Sequence, residues 1–157
     1  MLHTSLKSLP VDCGYSKLFF EKVNEFAKAF QACGIKKEDV VTIMSLHTPE
    51  TIYSIYALNQ LGAIVNLIYL TLNAEEIVKQ TDEVGSKMFL YLENVQDKVK
   101  EIKSKMKAEQ IICLPIWNSM PFPLKQIVKQ KSCRDNSLDE FLKKGSKEIV
   151  LKKERSF

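Results

Sequence analysis

The chain has 157 residues, 45% hydrophobic and 27% charged, with 23 Lys+Arg against 19 Asp+Glu for a net charge of +4. That length suits one domain that buries about two thirds of its unfolded surface, and the composition excludes both a disordered polar chain and a cysteine-dense secreted scaffold. The bases are nearly all Lys, interspersed with Glu and Asp, which marks solvated faces and argues against a nucleic-acid footprint.

Residues 1–14 show no periodicity, contain Pro10 and Gly14, and are expected to form an irregular leader. They lack the charged region followed by an apolar run that a secretory signal needs, so the cytoplasm is the expected location. From Tyr15 onward Leu18, Phe19, Val23, Phe26, Ala27 and Phe30 recur at spacings of three and four, which predicts an amphipathic helix ending at Gly34. Asp39 to Leu46, rich in Val, Ile and Met, predicts a buried strand. Thr48-Pro49-Glu50 then supplies an N-cap, a proline suited to the first helical position and an acid for the positive helix end, so a helix to Leu61 follows, capped by Gly62.

No charged residue occurs between Glu50 and Glu75, and Ile52 to Leu72 is long enough to imitate a membrane span. Asn59, Gln60 and Asn66 interrupt it, and at Leu61-Gly62-Ala63 its composition switches from helical to β-rich. A buried helix followed by a buried strand, Ala63 to Ile68, is the expected outcome. Asn73 with Glu76 forms a capping-box start for a helix to Val84, closed by Gly85, and Lys87 to Leu92 predicts a third strand. Val95, Val99, Ile102 and Met106 mark one further helix stripe, and Ile111 to Leu114 a fourth strand.

After Pro115 the pattern weakens. Pro121 and Pro123 mark a loop around the lone Trp117, residues 124–128 are expected to start a short helix, Ser137 to Leu142 another, and residues 146–157 a tail. Strands alternating with helices indicate βαβ units. The expected fold class is therefore α/β: a partial doubly wound, mainly parallel sheet of about four strands with helices on both faces.

Chemistry is sparse. The five glycines, Gly14, Gly34, Gly62, Gly85 and Gly145, are isolated, so neither GxGxxG nor GxxxxGK[ST] is present to cradle a phosphate, and Gly34, Gly62 and Gly85 each fit a helix C-cap. No GxSxG elbow occurs, and Cys13, Cys33, Cys113 and Cys133 lack zinc-ligand spacing. The paired carboxylates Glu75-Glu76, Asp82-Glu83 and Asp139-Glu140 are adjacent on helices and do not face each other. His47 alone has a positional claim, because ligands of open parallel sheets gather at the carboxyl ends of strands; the one carboxylate within three residues, Glu50, is accounted for by the helix dipole, so a turn role is favoured. No catalytic, cofactor-binding or metal residue is assigned.

Three segments resemble the AMP-forming adenylate-forming superfamily of acyl-CoA and aryl-CoA ligases, luciferases and peptide-synthetase adenylation domains. Tyr15 to Phe30 resembles the family's opening helix, and Gly34 to Met44 its entry to a strand, with Glu38 where a glycine is usual. His47-Thr48-Pro49-Glu50, Leu61-Gly62-Ala63, Asn66-Leu67 and Asn73 to Glu76 then resemble the helix, strand and helix that follow, with His47 replacing an asparagine. A looser likeness continues to Gly145, which implies a partial N-terminal domain of AMP-binding type over residues 15–145.

For a complete member the resemblance implies carboxylate adenylation by ATP with Mg2+, followed by transfer to CoA. The family's Ser/Thr/Gly-rich loop ending in Pro-Lys-Gly, its aromatic-Gly-x-Thr-Glu segment, its ribose-holding aspartate and its C-terminal-domain lysine have no counterparts in residues 1–157. The expectation is a truncated piece of a ligase, inactive alone and without a cofactor of its own, whose partners are the missing remainder of the ligase or a second copy. The alternative is a non-catalytic α/β interaction module.

Overall fold

The computed structural model describes residues 14–115 and 138–154. The expected leader, the loop around Trp117 and the helix expected at 124–128 lie outside the described residues. In chain order the elements are α1 (Gly14–Ala32), β1 (Val40–Met44), α2 (Pro49–Leu61), β2 (Ile64–Leu67), α3 (Ala74–Glu83), β3 (Met88–Leu92), a 3₁₀ turn (Glu93–Val95), α4 (Gln96–Ile102), β4 (Gln110–Leu114) and α5 (Leu138–Glu154). The four strands form one parallel sheet in the order β2-β1-β3-β4. Both faces are covered, as the alternating strand and helix patterns require.

Strand alternation divides the core in two. Val41 and Ile43 of β1, Met88, Leu90 and Leu92 of β3, and Ile112 and Leu114 of β4 point to one face. There they meet Phe26 and Phe30 of α1, Ala57 and Leu58 of α2, and Leu138 and Phe141 of α5. Met44, Phe89, Tyr91, Ile111 and Cys113 point to the other face, against Ile77 of α3 and Val99 and Ile102 of α4. Fully burying one such side chain contributes about 1.5–3 kcal/mol, so this two-sided apolar packing dominates the stability of the domain.

The caps follow the sequence. Thr48 accepts from the Thr51 N–H ahead of α2, and Asn73 and Glu76 form a reciprocal capping box on α3. Gly34, Gly62 and Gly85 adopt φ of +83°, +71° and +61°, the left-handed conformation that glycine adopts without a Cβ penalty. Glu38, at φ +71°, is the one non-glycine residue with positive φ among the described residues. Its N–H donates to Gly62 O at 2.9 Å, which ties the entry of β1 to the end of α2.

Two helices differ from expectation. The stripe through Met106 outruns α4, which ends at Ile102: the Lys105 N–H bonds Ile102 O at 2.8 Å, a tightened closing turn, and the Lys107 N–H bonds Asp82 Oδ1 at 3.1 Å. Met106 remains buried but sits beyond the helix. Conversely, α5 runs through residue 145 to Glu154, across residues expected to form a tail. Gly145 is not a cap; it lies where α5 crosses α1, and a Cβ there would stand 2.6 Å from Ala29 N.

The uncharged segment after Glu50 folds as α2 and β2, but β2 is not the buried strand expected: it lies at the sheet edge, paired on one side only, and leaves Ile64 and Leu67 exposed. Among the described residues no helix is long and apolar enough to cross a membrane.

Candidate functional site

In the order β2-β1-β3-β4, the chain leaves β1 toward one edge and β3 toward the other, so the winding reverses between their carboxyl ends, where open α/β sheets bind ligands. The residues leaving β1 there are Ser45, Leu46 and His47; Glu93 and Asn94 leave β3. His47 is exposed in the bend before α2, and among the described residues its side chain makes no hydrogen bond.

Beside it a chain of hydroxyls fixes the start of α2. Ser45 Oγ lies 2.7 Å from Thr51 Oγ1, and Thr51 Oγ1 lies 3.0 Å from Thr48 Oγ1, which also accepts from Thr51 N at 3.3 Å. This helix N-terminus is therefore occupied by its own cap, and Glu50, buried in the first turn, adds an acidic side chain where an entering phosphate would sit. Lys98, beyond β3, donates to Leu70 O and Leu72 O at 3.4 and 3.2 Å, which commits its ammonium to closing the loop after β2. These groups do not fit a nucleotide triphosphate.

The opposite, amino edge carries a cavity of about 460 Å³ lined by Glu38, Asp39, Asp82, Lys87, Lys107 and Glu109 among others. Lys87 Nζ pairs with Asp39 Oδ2 at 3.0 Å and donates to Gly34 O at 2.7 Å. The Lys36 N–H, at 2.7 Å, and the Lys87 ammonium hold the Asp39 carboxyl below its ordinary pKa. Acids outnumber bases here, and these contacts fasten the α1–β1 turn to the foot of β3. They brace the fold.

Beneath the sheet surface Thr42, Ser86 and Asn66 form a polar lock. Thr42 donates to Ser86 Oγ from both N and Oγ1, at 2.9 and 2.7 Å; Ser86 Oγ donates to Met88 O at 3.0 Å; and Asn66 Nδ2 donates to Thr42 Oγ1 at 3.1 Å. The sequence carries no signal for this network, because its members are 24 and 44 residues apart. Cys33 and Cys113 are buried thiols outside any disulfide, and among the described residues no group of three His, Cys, Asp or Glu side chains is placed to hold a metal ion.

This scaffold matches known proteins. The chain is 29% identical over 62% of its length to 3-hydroxypropionyl-coenzyme A synthetase of Sulfurisphaera tokodaii, covering 15% of that protein. It is 27% identical over 56% of its length to 4-coumarate–CoA ligase CCL1 of Humulus lupulus, covering 16% of it. It thus spans about a sixth of the curated relatives it matches. In structure it is similar to the long-chain-fatty-acid-CoA ligase FadD1 of Archaeoglobus fulgidus, with a TM-score of 0.65 at 16% identity over 81% of this chain and 22% of that one. The sequence model of the family described as AMP-binding enzyme matches residues 15–152, most of the chain, and the chain belongs to that family.

Proposed function

We propose that this chain is the opening part of the N-terminal domain of an AMP-forming acyl-CoA or aryl-CoA ligase. It contributes scaffold and not chemistry. The complete enzyme would convert a carboxylate, ATP and CoA to acyl-CoA, AMP and pyrophosphate, with Mg2+ assisting the first step. The observation that carries this is the match over residues 15–152 combined with a carboxyl edge whose helix N-terminus is already capped by Thr48 and bordered by buried Glu50.

Adenylation needs donors preorganised around developing negative charge, which is commonly the largest contribution to such catalysis. Residues 1–157 contain no glycine-rich loop and no Pro-Lys-Gly segment to supply them. The purified chain is expected to give no carboxylate-dependent exchange of pyrophosphate into ATP with fatty, hydroxy or aromatic acids; a clear exchange signal would overturn the proposal. Under it the partners of the chain are the remainder of a ligase or a second copy, and the cytoplasm is the compartment consistent with its thiols.

A further inference from the structure

We infer that the chain self-associates through β2, as a two-fold dimer in which two β2 strands pair antiparallel about Asn66. This deepens the self-association part of the proposed function by naming the surface. The two edges of the sheet differ: β4 is covered almost throughout, whereas β2 is open, with Ile64 52% and Leu67 59% exposed on opposite faces and Tyr69, just past the strand, 78% exposed.

β2 also lacks the charges and prolines by which natural edge strands discourage pairing, since neither type occurs from Thr51 to Ala74. A two-fold axis sets each edge against its own copy, and a charged edge would then oppose like charges; this neutral one does not.

The backbone selects the register. Ile64 N and Ile68 N donate to β1 at Asp39 O and Ile43 O, so strand alternation turns the N–H and C=O of Val65 and Leu67 toward the open side. With the axis at Asn66, Val65 faces Leu67 of the second copy in a hydrogen-bonded pair, and the reverse pair follows by symmetry. Val65 and Leu67 then form a four-residue apolar cluster on one face. On the other face exposed Ile64 lies opposite Ile68 of the second copy, whose side chain is held in its own core, and the two Asn66 residues face each other in a non-hydrogen-bonded pair with Cα atoms about 4.5 Å apart. The result is one continuous sheet of twice the strand number.

Light scattering of the full chain over a concentration series is expected to reach twice the 18.0 kDa chain mass. Leu67→Lys, which changes an exposed side chain, should raise the dimer dissociation constant about tenfold or more while leaving the circular dichroism unchanged. Asn66→Cys should form a disulfide-linked dimer under mild oxidation, because the Cα separation of that pair suits a disulfide, whereas wild type and Ile64→Cys should not. A wild-type monomer at every concentration, a Leu67→Lys dimer as stable as wild type, or an Asn66→Cys chain that fails to cross-link would each overturn the inference. None of these outcomes bears on pyrophosphate exchange, so the ligase proposal stands or falls separately.

Discussion

Replacing Gly145 by alanine would set a methyl carbon 2.6 Å from Ala29 N and 2.9 Å from both Ala29 Cα and Lys28 C. All three are backbone atoms of α1, so no rotamer change relieves the contact and α5 has to retreat by most of an ångström. Overpacking of this kind costs about 1–3 kcal/mol. The retreat also loosens Leu138 and Phe141, each 2% exposed in the core against α1 and the sheet, and a gap of that size forfeits roughly a quarter to a half of their contact energy. Alanine returns about 1 kcal/mol through its better helix propensity.

The clash outweighs the propensity gain, leaving a net loss of about 2 kcal/mol. For a chain of this size that is a melting temperature lower by about 4–8 °C. Thermal unfolding followed by circular dichroism reads it, with Ser146→Ala, at an exposed neighbouring position, as the control that should hold its melting temperature or gain slightly. If Gly145→Ala melts higher than wild type, helix propensity governs the site and the close crossing of α1 and α5 is refuted.

Glu38→Gly should stabilise the chain, because a left-handed conformation costs a non-glycine residue roughly 1–2 kcal/mol and the added freedom of glycine in the unfolded chain returns only about 0.5–1 kcal/mol of that. Glu38→Ala, which keeps the strain, should show no comparable rise in urea midpoint, and an equal rise in both would trace the effect to lost charge. For Asp39, the folded-state pKa lies below the unfolded value, so its contribution is present above the unfolded pKa and is lost as pH falls through the folded one. Asp39→Asn should therefore be less stable than wild type at neutral pH, and the difference should shrink as pH drops below about 4. A gap independent of pH from 7 to about 2 would show that the charge on Asp39 does not contribute.

Much of the fold is legible in local sequence because its signals are local. Thr48, Pro49 and Gly62 bracket α2, Asn73 and Glu76 start α3, and the apolar runs of β1, β3 and β4 mark strands buried on both faces. The end of α4 was not legible, because Met106 keeps the helical spacing although the chain has already turned, drawn by Asp82 from another element. Nor was the reach of α5, whose expected stretch stopped at Leu142, because no pattern along the chain announces that Gly145 packs against α1.

At the candidate site the sequence placed His47 in the turn between β1 and α2, and the structure has it exposed there. The ion pair of Lys87 with Asp39 spans 48 residues, and no pattern along the chain announces such a partnership.

The polar lock at Thr42, Ser86 and Asn66 has a consequence for how the sheet aligns itself. Sliding one strand past its neighbour by two residues returns every apolar side chain to its proper face, so oil and water alone are nearly blind to that error. The hydroxyls are not blind to it: Thr42 finds Ser86 on one side and Asn66 on the other only in the native alignment, and any shifted pairing would entomb them without partners, at about 1–3 kcal/mol for each orphaned group. Three small polar side chains thus act as a vernier, counting the strands into place where greasy neighbours cannot.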